Sequence, residues 1–131
     1  MIALDTNVLI RLLVEDDPDQ ALRARELIES VSEKGERCYV GDPVLCELEW
    51  VLESVYRASR KDVLSALTQV FRNAVFEVED PQTVAKALEA FATGKGDFSD
   101  CLLGARAKAR GAETTYTFDR SLRGNPSFTL L

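Results

Sequence analysis

Four acidic side chains in this sequence are candidates for catalytic or metal-binding chemistry. They are Asp5, Glu47, Asp100 and Asp119. Asp5 directly follows the apolar run Ile2–Leu4, and Asp119 lies two residues beyond Thr114–Thr117, a segment typical of a β-strand. Both positions are therefore at the carboxyl ends of predicted strands, where open α/β sheets bind their ligands. Because the chain has no histidine, catalysis has to rely on carboxylates, hydroxyls, Lys, Tyr, Cys or a hard metal ion.

Glu47 is predicted to lie on the apolar face of a helix over residues 42–56. It comes three residues after Val44 and four before Val51, and this spacing places the three side chains on one face. A carboxylate on such a face costs several kcal/mol unless a buried Arg or a metal ion compensates its charge. Two further acids of this helix are predicted to lie off that face, in solvent: Glu49 and Glu53.

Asp97 and Asp100 precede or begin a helix predicted over residues 101–110. Either Asp97 or Ser99 can cap this helix, and Asp100 lies in the first turn, where the helix dipole favours an anion. Asp100 is one turn ahead of Gly104, and several alanines follow. Such small side chains allow close packing, which would hold Asp100 near the first strand.

In a right-handed parallel α/β sheet, the positions of these four acids converge on one edge. Without cations, four neighbouring carboxylates would repel one another and raise each other's pKa values. Ligation by oxygen alone indicates Mg²⁺ or Mn²⁺, and such clusters hydrolyse phosphodiester bonds with one or two ions. Thr6, Asn7 and Thr117 are candidates for hydrogen bonds to the ligands or for orienting a water. As alternatives, Asp5 and Asp97 are helix caps and Asp119 is a turn residue.

The remaining sequence alternates short strand signals with helices, three of which start at Asp-Pro pairs at residues 17–18, 42–43 and 80–81. This alternation favours βαβ crossovers and predicts an α/β fold, a parallel sheet of four or five short strands between helices. With 131 residues, the chain is predicted to form one domain over 1–131. Trp50 and Tyr56 are expected to pack in the core, with contact to another chain as the alternative.

The charge distribution hints at a localised binding face, although the net charge is −6. Residues 101–131 carry five basic side chains against two acidic ones, and a helix dipole could also explain part of this excess. Cys38, Cys46 and Cys101 form no CxxC pair and suggest a reducing compartment. No secretory signal or long apolar run is present, so we expect a cytoplasmic protein without membrane segments.

Four segments resemble, in order, the motifs of PIN-domain ribonucleases and, within them, of VapC-type toxins. They are Asp5-Thr-Asn7, Val44–Leu52, Asp97–Gly104 and Thr117-Phe-Asp119-Arg120. The resemblance spans essentially the whole chain and implies a three-layer PIN-like fold with the activity of a Mg²⁺- or Mn²⁺-dependent endoribonuclease. It also implies an RNA substrate, a VapB-type antitoxin partner and a homodimer, with catalytic acids at Asp5, Glu47, Asp100 and Asp119.

For the mechanism, we expect Asp5 and Asp100 to bind the main ion directly. Glu47 and Asp119 would complete the cluster through water or a second ion. Asp97 either joins the metal site or only caps its helix. Four basic residues are candidates for contacts to the RNA backbone: Arg11, Arg106, Arg120 and Arg123.

Two other classes of protein use a similar acid cluster. A phosphoacceptor receiver domain of a signalling system needs a Lys after a late strand, where this chain has Asp119-Arg120. A haloacid-dehalogenase-type phosphatase needs Asp-x-Asp at the first strand, where this chain has Asp5-Thr-Asn7. A third alternative is a binding protein whose acids are all helix caps.

Overall fold

Parallel strands alternate with helices along the chain. The computed structural model describes residues 1–131, with six α-helices, five strands and one 3₁₀-helix. The chain divides into two compact units, Met1–Glu79 and Asp80–Leu131. None of the helices has the length and apolar content that a membrane crossing requires. The organisation of 1–131 as a single domain stays a prediction.

The first unit contains a three-stranded parallel sheet and four helices. Its elements are β1 (Ile2–Ala3), α1 (Thr6–Leu13), α2 (Pro18–Glu33), β2 (Cys38–Val40), α3 (Asp42–Ser54), α4 (Arg60–Arg72) and β3 (Phe76–Val78). The strand order is β1-β2-β3, and Cys38 of β2 lies opposite Ile2 on one side and Phe76 on the other. The core of this unit consists of side chains that are almost inaccessible to solvent: Leu9, Val40, Leu45, Leu48, Val63, Leu67 and Val70.

The second unit consists of α5 (Pro81–Thr93), α6 (Phe98–Ala109), β4 (Thr115–Thr117), a 3₁₀-helix (Arg120–Leu122) and β5 (Phe128–Leu130). Strands β4 and β5 pair in parallel. Helix α5 packs on α6, with the rings of Phe91 and Phe98 edge to face at a centroid distance of 6.2 Å. A Cβ atom on Gly104 would lie 2.7 Å from the Cβ of Ser127, so the small residue lets α6 pack closely.

The predicted α/β class with parallel strands is confirmed, but the pairing of the strands differs from the prediction. A single sheet of four or five strands was expected, and the strands instead form one sheet of three and one of two. Strand β4 pairs only with β5. At the two ends of this pairing, the backbone N–H of Thr115 donates to the carbonyl oxygen of Ser127, and that of Leu131 donates to the carbonyl oxygen of Thr117. Pairing therefore depends on contacts that no local sequence pattern reveals.

Helix α3 buries a different side from the one predicted. Its buried residues are Leu45, Leu48, Glu49 and Leu52. Trp50 is 64% exposed, so its expected core position is wrong. Tyr56 is half-buried, and its hydroxyl donates a hydrogen bond to Oδ2 of Asp16 at 2.8 Å. Apolar residues occur on every side of α3, so its periodicity does not single out one stripe.

Candidate active site

In the first unit, Asp5 lies between β1 and α1 and caps the helix. Its Oδ1 accepts a hydrogen bond from the backbone N–H of Thr6 at 2.7 Å. The side chain is exposed, and Oδ2 makes no hydrogen bond within the protein. The interpretation as a helix cap is therefore correct for one carboxylate oxygen, while the other oxygen is available to a ligand.

Thr6, beside Asp5, has a buried hydroxyl without a partner. The residue is 2% exposed, and its Oγ1 makes no hydrogen bond. Leaving a buried hydroxyl unpaired costs about 1–3 kcal/mol, so such a group suits a site that gains a polar ligand. Asn7 is exposed and lines a groove of about 620 Å³ together with Val8 and Arg11.

Glu47 and Glu49 exchange the environments that were predicted for them. Glu47 is exposed and makes no hydrogen bond or ion pair, so its expected position facing the core is wrong. Glu49 is 2% exposed, so its expected exposure to solvent is also wrong, whereas Glu53 is exposed as predicted. Both errors have one cause. The predicted apolar stripe included Leu48 and Leu52, which are buried, but the buried face extends from them to Leu45 and Glu49 rather than to Val44 and Val51. The exposed carboxylate of Glu47 remains accessible to a ligand.

In the second unit, Asp97 and Asp100 form a capping box at the start of α6. The backbone N–H of Asp100 donates to Oδ1 of Asp97 at 2.7 Å, and the backbone N–H of Asp97 donates to Oδ2 of Asp100 at 3.1 Å. Asp97 is therefore the cap that the sequence left open between Asp97 and Ser99, since the helix begins at Phe98. A role of Asp97 in metal binding stays a prediction.

Asp100 and Asp119 have carboxyl pKa values that move in opposite directions. Burial raises the pKa of Asp100 to about 6; the charges of Asp97 and Asp119 add to this rise, and the hydrogen bond from the backbone N–H of Asp97 opposes it. The pKa of Asp119 is lowered because its Oδ1 accepts hydrogen bonds from the hydroxyl and the backbone N–H of Ser121, at 2.7 and 2.9 Å. Opposite shifts of neighbouring carboxyl groups are typical of functional sites.

Thr117 and Ser121 hold the segment that carries Asp119. The backbone N–H of Asp119 donates to Oγ1 of Thr117 at 3.0 Å, and Asp119 in turn caps the 3₁₀-helix. Thr117 is half-buried, and through this hydrogen bond it holds the backbone of Asp119, whose own side chain is exposed. The interpretation of Asp119 as a turn residue is correct, and its Oδ2 accepts no hydrogen bond from the protein.

Two residues that support Asp100 were missed by the sequence analysis. The backbone of Gly96 has a φ of +93°, and a Cβ atom there would lie 2.6 Å from Cδ2 of Leu122 and 3.1 Å from the Cβ of Asp100. Asn125 is 6% exposed; its Nδ2 donates to the carbonyl oxygen of Lys95 at 2.8 Å, and its Oδ1 accepts from Ser127 N–H at 2.9 Å. The only sequence signal was the pair of glycines around Lys95, which indicated a loop.

The donor chemistry of these acids fits a hard divalent ion, although neither unit forms a metal site by itself. Within the first unit, and likewise within the second, no three His, Cys, Asp or Glu side chains are grouped so that they could hold a metal ion. Asp5 and Glu47 contribute unengaged carboxylate oxygens, and the raised pKa of Asp100 reflects a carboxylate that a cation would stabilise. All are oxygen donors, as Mg²⁺ and Mn²⁺ prefer. The meeting of all four acids in one cluster stays a prediction.

The four basic candidates fall into two pairs. Arg11 is engaged by Asp16 at 3.0 Å and by Gln20 at 2.6 Å, and Arg106 forms an ion pair with Asp80 at 3.4 Å. Two others are exposed and make no ion pair: Arg120 and Arg123. This second pair lies in the same short segment as Asp119.

Comparison with known proteins gives two matches. The family model described as PIN domain matches residues 2–125. A VapC ribonuclease of Aquifex aeolicus (strain VF5) is 28% identical over 120 residues, which cover 92% of this chain and 88% of that protein. Both matches agree with the resemblance found in the ordered acidic motifs.

Proposed function

The chain belongs to the PIN-domain family, and from this premise we propose that it is a metal-dependent endoribonuclease that acts as the toxin of a VapBC-type toxin–antitoxin pair. The observation that carries the proposal is the state of Asp100. Burial, together with the charges of Asp97 and Asp119, raises the pKa of its half-buried carboxyl group to about 6. A site that repels its own negative charges is one that a bound divalent cation stabilises. The name of the Aquifex aeolicus relative, VapC ribonuclease, supports RNA as the substrate.

Each acid has a defined role in this proposal. Asp5 and Asp100 bind the main ion directly, and Glu47 and Asp119 hold it through water or bind a second ion. When bound, Mg²⁺ or Mn²⁺ supplies a nucleophilic water at neutral pH and neutralises charge on the phosphate. Thr117 fixes the backbone of Asp119.

Three supporting residues complete the proposed site. Thr6 offers a buried hydroxyl without a partner, and Asn7 an exposed amide, to the groups around the ion. Asp97 positions the first turn of α6 through its capping hydrogen bond. These residues orient ligands and water rather than take part in bond breaking.

The proposal includes two protein partners, a VapB-type antitoxin and a second copy of this chain. The exposed side chains of Trp50 on α3 and of Val55 directly after it, at 64% and 62%, support a surface that another chain covers. Cytoplasmic localisation is part of the proposal, because none of the three cysteines forms a disulfide bond and reduced thiols suit a reducing compartment.

A cleavage assay tests this function. The purified chain is incubated with transfer, ribosomal and messenger RNAs, with Mg²⁺, with Mn²⁺ and with a chelator, and we expect cleavage only with an ion. Asp5→Asn should lower the rate at least about 100-fold, since loss of groups that merely orient metal ligands already costs about 10–100-fold. Asp19→Asn, which removes an exposed acid from the first turn of α2, is the matched control and should retain full activity.

Three results would contradict the proposal. The first is full activity of the Asp5→Asn variant, and the second is cleavage that persists without a divalent ion. The third is stable phosphorylation by acetyl phosphate in the absence of RNA cleavage, which would instead favour a receiver-type signalling domain.

A further inference from the structure

Two large aromatic side chains lie uncovered at the end of β4. Tyr116 is 64% exposed and Phe118 is 80% exposed, whereas Thr115 and Thr117 between and beside them are half-buried. Tyr116 lies in β4 and Phe118 directly follows its last residue, so the two exposed rings are two residues apart at the end of one strand. Neither ring contacts another aromatic side chain. Scattered single apolar residues are normal on surfaces, but two exposed rings only two residues apart need an explanation.

Phe118 directly precedes Asp119, and two unpaired cations follow within five residues of Phe118. Arg120 and Arg123 are exposed and form no ion pair with any acid, in a chain whose net charge is −6. The nearest acid, Asp119, directs its Oδ1 at Ser121 instead. A surface that combines exposed rings with free Arg side chains has the composition of sites that bind single-stranded nucleic acid, where bases stack on the rings and Arg binds phosphates.

We propose that Phe118 and Tyr116 form a stacking platform for unpaired RNA bases, with Arg120 and Arg123 binding the adjacent backbone phosphates. This inference rests on the proposed function and deepens it, because it names the side chains of this chain that hold unpaired bases. Bases in a duplex are already stacked and paired, so they cannot lie on these rings. The positive charges of the two Arg side chains favour RNA as the occupant, because neighbouring phosphates of one polyanion can neutralise both.

The experiment measures binding of a short fluorescein-labelled single-stranded RNA to the full chain by fluorescence anisotropy, in a chelator so that no cleavage occurs. Phe118→Ala should raise the Kd about tenfold, equivalent to about 1.4 kcal/mol. Phe118→Trp should restore the Kd to within about twofold of that of the original protein, because the indole offers a larger stacking face. Phe118→Leu, which keeps the apolar volume but lacks a ring, should bind as weakly as Phe118→Ala.

Leu103→Ala is the matched control, since Leu103 is an exposed apolar residue of α6 at 55% exposure, and its removal should leave the Kd unchanged. Duplex RNA of the same sequence should bind about equally to all five proteins. A 2-aminopurine base in the single strand should lose fluorescence on binding the original protein and Phe118→Trp but not Phe118→Ala, which reports stacking directly.

The outcomes separate the inference from the proposed function. If the original protein cleaves RNA while Phe118→Ala and Leu103→Ala bind single strands equally well, the stacking platform is wrong and the nuclease proposal stands. If Phe118→Ala binds RNA normally but sediments as a smaller particle than the original protein, the face is a protein interface and the inference is overturned. If the original protein neither binds nor cleaves RNA, both proposals are overturned.

Discussion

Asp97 and Asp100 exchange hydrogen bonds, each backbone N–H donating to the side chain of the other residue, at 3.1 and 2.7 Å. This reciprocal capping box fixes the first turn of α6. It also holds the Asp100 carboxyl group where burial raises its pKa to about 6. The capping box therefore holds the Asp100 carboxylate in surroundings that disfavour its negative charge. This lowers the free energy of unfolding at neutral pH, an effect that a substitution can measure.

We predict that Asp100→Asn stabilises the metal-free protein at neutral pH. Because the folded pKa of Asp100 is raised, the folded state holds its proton more tightly than the unfolded state. The contribution of Asp100 is therefore greatest at acidic pH and is lost as pH rises from about 4 to about 6. At about pH 7 the variant should be more stable by about 1 kcal/mol, a figure reduced for solvent screening of a half-buried group.

Urea denaturation in a chelator, at about pH 4 and about pH 7, measures this difference. Asp62→Asn is the matched control, because Asp62 occupies the same position of a capped first turn in α4 and is exposed. It accounts for the loss of an acid near a helix N-terminus. An equal effect of the two substitutions at both pH values would contradict the prediction.

We predict that Mg²⁺ and Mn²⁺ raise the melting temperature of the original protein. A ligand that binds only the folded state stabilises it by mass action, by about 1.4 kcal/mol at ten times its Kd. Asp5→Asn and Asp100→Asn should each lose most of the shift, whereas Asp19→Asn should retain it. If the acids are only helix caps, no divalent ion will shift the transition in any of these proteins.

The positions of most helices and strands were predictable from the sequence, because the signals that start and end them lie within a few neighbouring residues. Three Asp-Pro pairs mark the starts of helices α2, α3 and α5, yet the caps differ. Asp17 caps α2 through its side chain, α3 is capped by Gly41 without a side-chain bond, and Asp80 instead bonds Thr83 and Arg106. The sequence gives the boundary of a helix, whereas the cap depends on backbone angles and neighbours.

The orientation of α3 shows where local chemistry fails. The helix itself has apolar residues on every side, so more than one apolar face is possible. The prediction chose the face that includes Val44 and Val51. The structure buries the predicted Leu52 together with Leu45 and Glu49, and it leaves Trp50 exposed. A choice between two apolar faces is made by the elements packed against the helix, as is the pairing of β4 with β5.

We predict that Asn125→Ala destabilises the protein by about 2 kcal/mol, because it leaves the carbonyl oxygen of Lys95 with only the weak hydrogen bond from Cys101 Sγ at 3.8 Å and removes the acceptor of the Ser127 N–H. Thermal or urea unfolding measures the loss. Asn73→Ala, which removes a single exposed bond to Val75 N–H, should cost only about 0.5 kcal/mol. RNA cleavage should fall in Asn125→Ala but not in Asn73→Ala, since Lys95 belongs to the loop before Asp97. Equal losses of stability would contradict this role of Asn125.

We predict that Gly96→Ala harms both stability and RNA cleavage, and Gly111 provides a control that separates two causes. Both glycines have a positive φ, +93° and +95°, so an alanine at either position costs about 1–2 kcal/mol of backbone strain. Only at Gly96 does the added Cβ collide, with Leu122 and Asp100, which adds about 1–3 kcal/mol of overpacking. Gly111→Ala should therefore be mildly destabilised and fully active in a cleavage assay at a temperature where both variants are folded. At that temperature Gly96→Ala should lose cleavage activity, because relief of the collision moves Asp100. Normal cleavage by folded Gly96→Ala would mean that the position of Asp100 does not limit the reaction.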